Sequence, residues 1–250
     1  MQRYFSLSKE KIILSDGDVH HILNVMRMRK GETFEIVFNS LINIAEITSL
    51  KPFLYNIIDI VKEEKEIKNP ITLFYALSKG DKNEFVMQKA TELGAKRIVL
   101  LSSRRSVLKM SNEDFLRKKE RFEKIIKEAS EQSKRTSIPE IVGVYPMDKI
   151  PQDLLCDKNF VAYECDSGRT DKTLDQFMNI NEEESVSILI GSEGGIDEKE
   201  IEALRKQGFI TISLGKRILR TETASVYALS VLGFILERKE NEDDISTFRT

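Results

Sequence analysis

Two stretches near the C-terminal end carry residue types whose spacing could bind and activate a small molecule. One is Val186-Ser-Ile-Leu-Ile-Gly-Ser-Glu-Gly-Gly-Ile196, and the other is Ser213-Leu-Gly-Lys-Arg-Ile-Leu-Arg-Thr-Glu-Thr-Ala224. Each reads as an apolar strand running into a glycine-containing turn that then opens a helix. Glycine lets the backbone approach a ligand closely, and a helix N-terminus presents free N–H groups beside it. Two such turns side by side make a pocket.

The first turn, Gly191-Ser-Glu-Gly-Gly195, fits neither standard phosphate loop, because it has neither the G-x-G-x-x-G spacing nor a G-K-[ST] ending. Glu193 also puts a carboxylate in the turn, where a pyrophosphate would be repelled. A neutral or cationic ligand is therefore expected, and S-adenosylmethionine, with its sulfonium charge and adenine ring, meets that requirement. In the second turn Leu214 and Gly215 permit close approach, Ile218 and Leu219 offer an apolar slot for a flat ring, and Arg220 sets a cation beside it. The spacings alone leave a plainer reading open, in which the glycines only shape tight turns and Arg220 pairs with Glu222.

The elements that must position these turns follow from hydrophobic periodicity. Beyond Pro70, strand patterns (Ile71–Leu77, Arg97–Leu101, Glu140–Tyr145, Phe160–Glu164, Val186–Ile190, Ile210–Leu214) alternate with helical ones (Asn83–Leu93, a long helix from Ser111, Asp197–Lys206, Thr221–Arg238). That alternation predicts an α/β domain with a mainly parallel sheet covered on both faces. Before it, the short alternating segments Thr33–Phe38, Ile42–Ile47 and Tyr55–Val61, the apolar Ile12–Leu14 and one helix over Asp18–Met28 predict a small, mostly β barrel. The charged stretch Lys62-Glu-Glu-Lys-Glu-Ile-Lys-Asn-Pro70 reads as a linker, which puts the two domains at residues 1–66 and 70–250.

Composition narrows the chemistry. The chain has 250 residues, 39 Lys and Arg against 41 Asp and Glu, and a net charge of −2, so it is not a general polycation, although a local basic face is allowed. Its two cysteines, Cys156 and Cys165, form no C-x-x-C pair, and His20 and His21 are its two histidines, so no metal site is expected. Both histidines are expected to pack within the small domain. No signal-like or membrane-spanning run is evident, and a soluble, cytoplasmic protein is expected.

The two turns together resemble the signature of the RsmE-type ribosomal RNA small-subunit methyltransferases of the SPOUT superfamily. Further segments are similar in the same order: His20-His-Ile-Leu-Asn-Val-Met-Arg-Met-Arg-Lys-Gly31, Ser78-Lys-Gly-Asp-Lys82, Gln88-Lys-Ala-Thr-Glu-Leu-Gly94 and Glu131-Gln-Ser-Lys-Arg135 with Pro139. The resemblance covers essentially the whole chain. It implies a PUA-like N-terminal β-barrel, a SPOUT domain with a C-terminal trefoil knot, and a homodimer that methylates N3 of a uridine in 16S rRNA using S-adenosylmethionine. The family usually has proline where this chain has Ser192 and near Leu100, and often glycine near Ser40. Related knotted enzymes acting on another rRNA or tRNA site, and a non-catalytic assembly factor, share much of this pattern.

On that basis Arg220 is expected to stabilise the anion left when the uridine imide loses its proton, and Glu193 or Glu222 is a candidate for taking that proton. The expected cofactor residues are Tyr163, Ile190, Gly191, Ser192, Gly194, Gly195, Ile196, Leu214, Gly215, Ile218, Leu219, Thr223 and Ala224, with Ala162-Tyr163-Glu164 as a third wall. RNA is expected on one basic surface formed by Arg3, Asn24, Arg27, Arg29 and Lys30, the last four read as helical, and on a second formed by Arg104, Arg105, Lys109 and Arg135. A solvated charged face is the alternative for either group.

Overall fold

The computed structural model describes residues 1–163 and 170–247. They divide into two compact units, one of residues 1–66 with 127–138, the other of residues 67–126 with 139–250. The first unit thus includes residues 127–138, which the sequence reading placed with the second domain.

In the first unit, β1 (Arg3–Phe5), β2 (Thr33–Phe38), β3 (Leu41–Leu50) and β4 (Phe53–Val61) form a ladder in that order. β1 runs parallel to β2 and the other pairs are antiparallel. Among the described residues no pairing closes β4 on β1, so the expected barrel appears as an open four-stranded sheet. Asn39 and Ser40 turn β2 into β3 with φ of 50° and 60°, the left-handed conformation that a two-residue hairpin turn requires. Tyr4, Ile22, Phe34, Ile36, Ala45 and Ile47 make the core. From β3, Ala45 and Ile47 enter this core while Ile44 is only half-buried, and the register shifts between Ile44 and Ala45.

The apolar Ile12–Leu14 segment forms no strand, and the Ile13 amide donates to the Ser6 hydroxyl at 3.0 Å. One local expectation fails here. The helix is shorter than expected. α1 (Asp16–His20) starts in a capping box between Ser15 and Asp18, continues as a π-helical turn over His21–Val25, and stops before Arg27, whose φ is 52°. Arg27, Arg29 and Lys30 therefore lie on the loop that follows, exposed but not helical.

The second unit holds six parallel strands in the order β10-β8-β9-β5-β6-β7: β5 (Ile71–Ala76), β6 (Arg97–Ser102), β7 (Glu140–Pro146), β8 (Lys158–Ala162), β9 (Val186–Ile190) and β10 (Phe209–Ile212). Alternate residues of one strand feed two cores. Leu73 and Tyr75 pack with Val86 and Met87 of α2 (Lys82–Glu92), Phe115 and Phe122 of α3 (Asn112–Gln132), and Leu229 and Leu232 of α6 (Thr221–Thr247). Phe74 and Ala76 pack on the other face with Ile201 and Leu204 of α5 (Glu198–Lys206). A sheet buried on both faces reads as continuous apolar runs, which is what its strands show. α4 (Thr170–Met178) was not anticipated, although Leu174, Phe177 and Met178 stand at helical spacing. The expected strand end at Glu164, and Cys165, lie outside the described residues.

Glu66 organises the supposed linker. Its carboxylate accepts from the amides of Thr136 at 2.9 Å and Ser137 at 3.0 Å and pairs with Arg135 at 2.5 Å. Burial alone would raise its pKa, but the Arg135 guanidinium and these donors outweigh burial and hold the carboxyl below the usual range. A depressed folded-state pKa contributes stability that is present above the unfolded value and lost as pH falls through the folded one. Glu66→Gln should therefore lower the unfolding free energy by about 1–3 kcal/mol at neutral pH. In urea denaturation, the gap from wild type should narrow as the pH drops below about 4.3.

Candidate functional site

Because β8, β9 and β10 are parallel neighbours, their C-terminal ends meet at one edge of the sheet, where ligands of open α/β sheets bind. A cavity of about 380 Å³ lies there. Ala162 at the end of β8 with Tyr163 after it, Ile190 at the end of β9 with Gly191, Ser192, Gly195 and Ile196 after it, Ser213–Leu219 after β10, and Thr221 and Ala224 of α6 form its wall.

Local interactions shape the first loop. Gly195, at φ 72°, donates its amide to the Ser192 carbonyl at 2.9 Å, closing a tight turn in which Ser192 is buried. Gly191 leaves room for Ile196, whose Cγ1 would lie 2.7 Å from an added Cβ. Asp197 then caps α5, and the Glu200 that completes its capping box also accepts from the Arg104 amide at 2.7 Å. The second loop turns at Gly215, φ 115°, and is tied to the first where the Thr221 hydroxyl donates to the Gly191 carbonyl at 2.5 Å.

Eleven of the thirteen expected cofactor residues line this cavity: Tyr163, Ile190, Gly191, Ser192, Gly195, Ile196, Leu214, Gly215, Ile218, Leu219 and Ala224. Ile218 is 87% exposed, so the slot is open on that side. Gly194 and Thr223 are not on the wall. Gly194 instead packs under Arg105, where an added Cβ would come within 2.8 Å of the Arg105 carbonyl oxygen. Ser213, Lys216, Arg217 and Thr221 are on the wall but were not anticipated. Lys216 and Arg217 sit in the recognised stretch, yet nothing local distinguishes them from solvated charges.

Glu193 departs from expectation in position and in charge. It does not line the cavity, and its Oε1 accepts from Lys82 Nζ at 3.0 Å. Partial burial would raise its pKa, but the Lys82 ammonium and nearby backbone donors prevail and lower it. A carboxylate so stabilised is a poor proton acceptor. The same geometry removes the argument that Glu193 repels phosphate, since its charge is compensated and held outside. Arg220 is exposed, immediately precedes α6, and makes no side-chain ion pair among the described residues. Glu222 instead lies 3.6 Å from Lys82.

The expected basic surfaces need revision as well. Arg3 is 2% exposed, paired with Glu35 at 2.7 Å, and Arg135 is buried against Glu66, so both are structural. Asn24, Arg27, Arg29 and Lys30 are exposed. Arg104 and Arg105 reach solvent while contacting Asp148 at 3.1 Å and Asp197 at 3.7 Å. The Lys109 ammonium donates to the Ser103 carbonyl. His21 Nδ1 is bonded to the Tyr4 hydroxyl at 2.8 Å. Among the described residues no cluster of His, Cys, Asp and Glu is arranged to hold a metal ion, and no helix is long and apolar enough to cross a membrane.

The tight approach of Gly194 to Arg105 gives a direct test of the loop. Gly194→Ala should lower the melting temperature by about 2–4 °C in differential scanning calorimetry, as expected for about 1 kcal/mol in a chain of this size.

A family model described as an RNA methyltransferase domain matches residues 65–233, and one described as an RNA methyltransferase PUA domain matches residues 14–54. The ribosomal RNA small subunit methyltransferase E of Bacillus subtilis (strain 168) is 36% identical over 251 residues, 95% of this chain and 98% of that protein. That of Buchnera aphidicola subsp. Schizaphis graminum is 34% identical over 92% of this chain and 93% of its own. The crystal structure of a ribosomal RNA small subunit methyltransferase E from Neisseria gonorrhoeae bound to S-adenosyl methionine superposes with a TM-score of 0.79 at 27% identity, covering 94% of this chain and 98% of that one. With matches of this extent across both units, the chain belongs to the ribosomal RNA small subunit methyltransferase E family.

Proposed function

We propose that the cavity binds S-adenosylmethionine and that the protein transfers its methyl group to N3 of a uridine in 16S rRNA. The observation that carries this reading is the cavity itself, a ligand-sized space built from the two sequence stretches that define the resemblance. Its wall suits the donor. Ile190, Ile196, Leu214, Leu219 and Ala224 supply apolar surface for an adenine ring, the backbone around Gly191, Gly195 and Gly215 supplies hydrogen-bonding groups, and Lys216 and Arg217 supply cations for a carboxylate. When bound, S-adenosylmethionine supplies an electrophilic methyl group that a nitrogen lone pair displaces from sulfur.

The protein's task is then alignment and charge control. Uridine N3 lies on the Watson–Crick edge and carries a proton, so the base must be unpaired and the proton must leave. Arg220 stabilises the negative charge that deprotonation spreads onto O2 and O4. Its freedom from ion pairs among the described residues keeps it available. Glu193 is not assigned the proton, for the reasons of position and charge given above. Asn24, Arg27, Arg29 and Lys30, with Arg104 and Arg105, are the exposed groups proposed to meet RNA phosphates.

The proposal includes the trefoil knot and the cytoplasmic homodimer. A threaded chain is supported by the placement of β9 between β8 and β5, and by the hydrogen bond from Thr221, which follows the 213–219 segment, to the Gly191 carbonyl of the β9 loop. The dimer is supported by Tyr227 and Phe234, two turns apart on α6 and 44% and 70% exposed.

Three measurements test these points. With undermethylated 30S subunits as substrate, Arg220→Ala should lower methyl transfer by about 10²–10³-fold with little change in melting temperature. Nucleoside analysis of the wild-type product should show 3-methyluridine, and a different methylated nucleoside would redirect the assignment. Phe234→Glu should shift the protein from dimer toward monomer in light scattering coupled to size exclusion, whereas an unchanged mass would move the interface elsewhere.

A further inference from the structure

Lys82 opens α2, directly after the Ser78-Lys-Gly-Asp loop that follows β5. Its ammonium serves two carboxylates from two other segments. Nζ donates to Glu193 Oε1 at 3.0 Å and lies 3.6 Å from Glu222 Oε2. Glu193 belongs to the β9 loop and Glu222 to the first turn of α6. Glu222 Oε2 is buried without a hydrogen-bond partner among the described residues, so the nearby ammonium is what compensates its charge. The floor beneath is firm: Tyr75 is fully buried and its hydroxyl donates to Ser78 Oγ at 3.0 Å, while Asn83 binds both backbone groups of Ser78, at 2.9 and 2.7 Å.

Arg220 stands two residues before Glu222, and the two side chains carry opposite charge. A local pair between them would be favourable once Glu222 had no other cation, and it would withdraw the guanidinium from a substrate. Lys82 already occupies Glu222. Together with the bond from Thr221 to Gly191 it also fastens the start of α6 to the β9 loop at two points.

We propose that Lys82 is a positioning residue for methyl transfer: by holding Glu193 and Glu222 it sets the β9 loop against α6 and keeps Glu222 from capturing Arg220. This rests on the assignment of Arg220 to the reaction. The ion pair raises the Lys82 pKa, so the cation persists across the neutral range and acts as a fixed charge rather than as a base.

The test uses the full-length protein in four forms: wild type, Lys82→Met, Lys82→Arg, and Lys82→Met with Glu222→Gln. Lys82→Met should lower kcat by about 10- to 100-fold, in line with the cost of small misplacements near a reacting centre. The dissociation constant for S-adenosylmethionine, by calorimetry, should move less than kcat. Lys82→Arg should recover most of the rate. The double variant should also recover much of it, because no carboxylate remains to capture Arg220. A readout independent of turnover is the crystal structure of Lys82→Met, expected to show Arg220 paired with Glu222. Wild-type kcat in Lys82→Met, or a loss that neither Lys82→Arg nor Glu222→Gln relieves, would overturn the proposal. Absence of methyl transfer by the wild type would instead remove the assigned function, and an Arg220 left unpaired from Glu222 in the variant crystal would still count against Lys82.

Discussion

The hydrogen bond from Thr221 to the carbonyl of Gly191 holds the site together. It joins the segment after β10 to the segment after β9, and the cavity exists because those two segments are kept at a fixed separation. Strand order makes the bond available. β9 lies between β8 and β5, β10 lies outside β8, and all run parallel, so three loops distant in sequence share one edge. A sheet buried on both faces then makes that edge rigid, since Leu73 and Tyr75 are committed to one core and Phe74 and Ala76 to the other.

Around this junction the charged residues divide into those that build and those that remain available. Glu200, Glu66 and Arg3 are spent on backbone groups and ion pairs inside their own units. Lys82, Glu193 and Glu222 form a compensated set beside the cavity. The cations on its wall, Lys216 and Arg217, are exposed, and so is Arg220, which lies between the wall residues Leu219 and Thr221 without itself lining the cavity. An RNA substrate and a donor carboxylate are both anionic, and a near-neutral protein needs just such a local excess to attract them.

Much of this was legible in the sequence. Strands buried on both faces announce themselves as uninterrupted apolar runs, and Val186–Ile190 spans the same residues in the structure as in the periodicity. The helix over Asp197–Lys206 was equally plain, and in the structure Asp197 becomes its N-cap. Most residues that line the cavity followed from the two glycine turns. Long-range partners were not legible. Arg3 and Arg135 look like surface cations until Glu35 and Glu66 are placed beside them, and Glu193 looks like a charge in a pocket until Lys82, 111 residues away, takes it up. The first helix failed for a related reason, since its apolar pattern continues past the point where Arg27 adopts a left-handed backbone.

The central claim is that the cavity between the β9 and β10 loops is the methyl-donor site. A crystal structure of this protein with S-adenosylmethionine tests it most directly. The account predicts the ligand in that cavity, contacting backbone groups of both loops, with its methyl group on the side open to Arg220. Donor density elsewhere, or ligand in the cavity with its methyl facing away from Arg220, would contradict it.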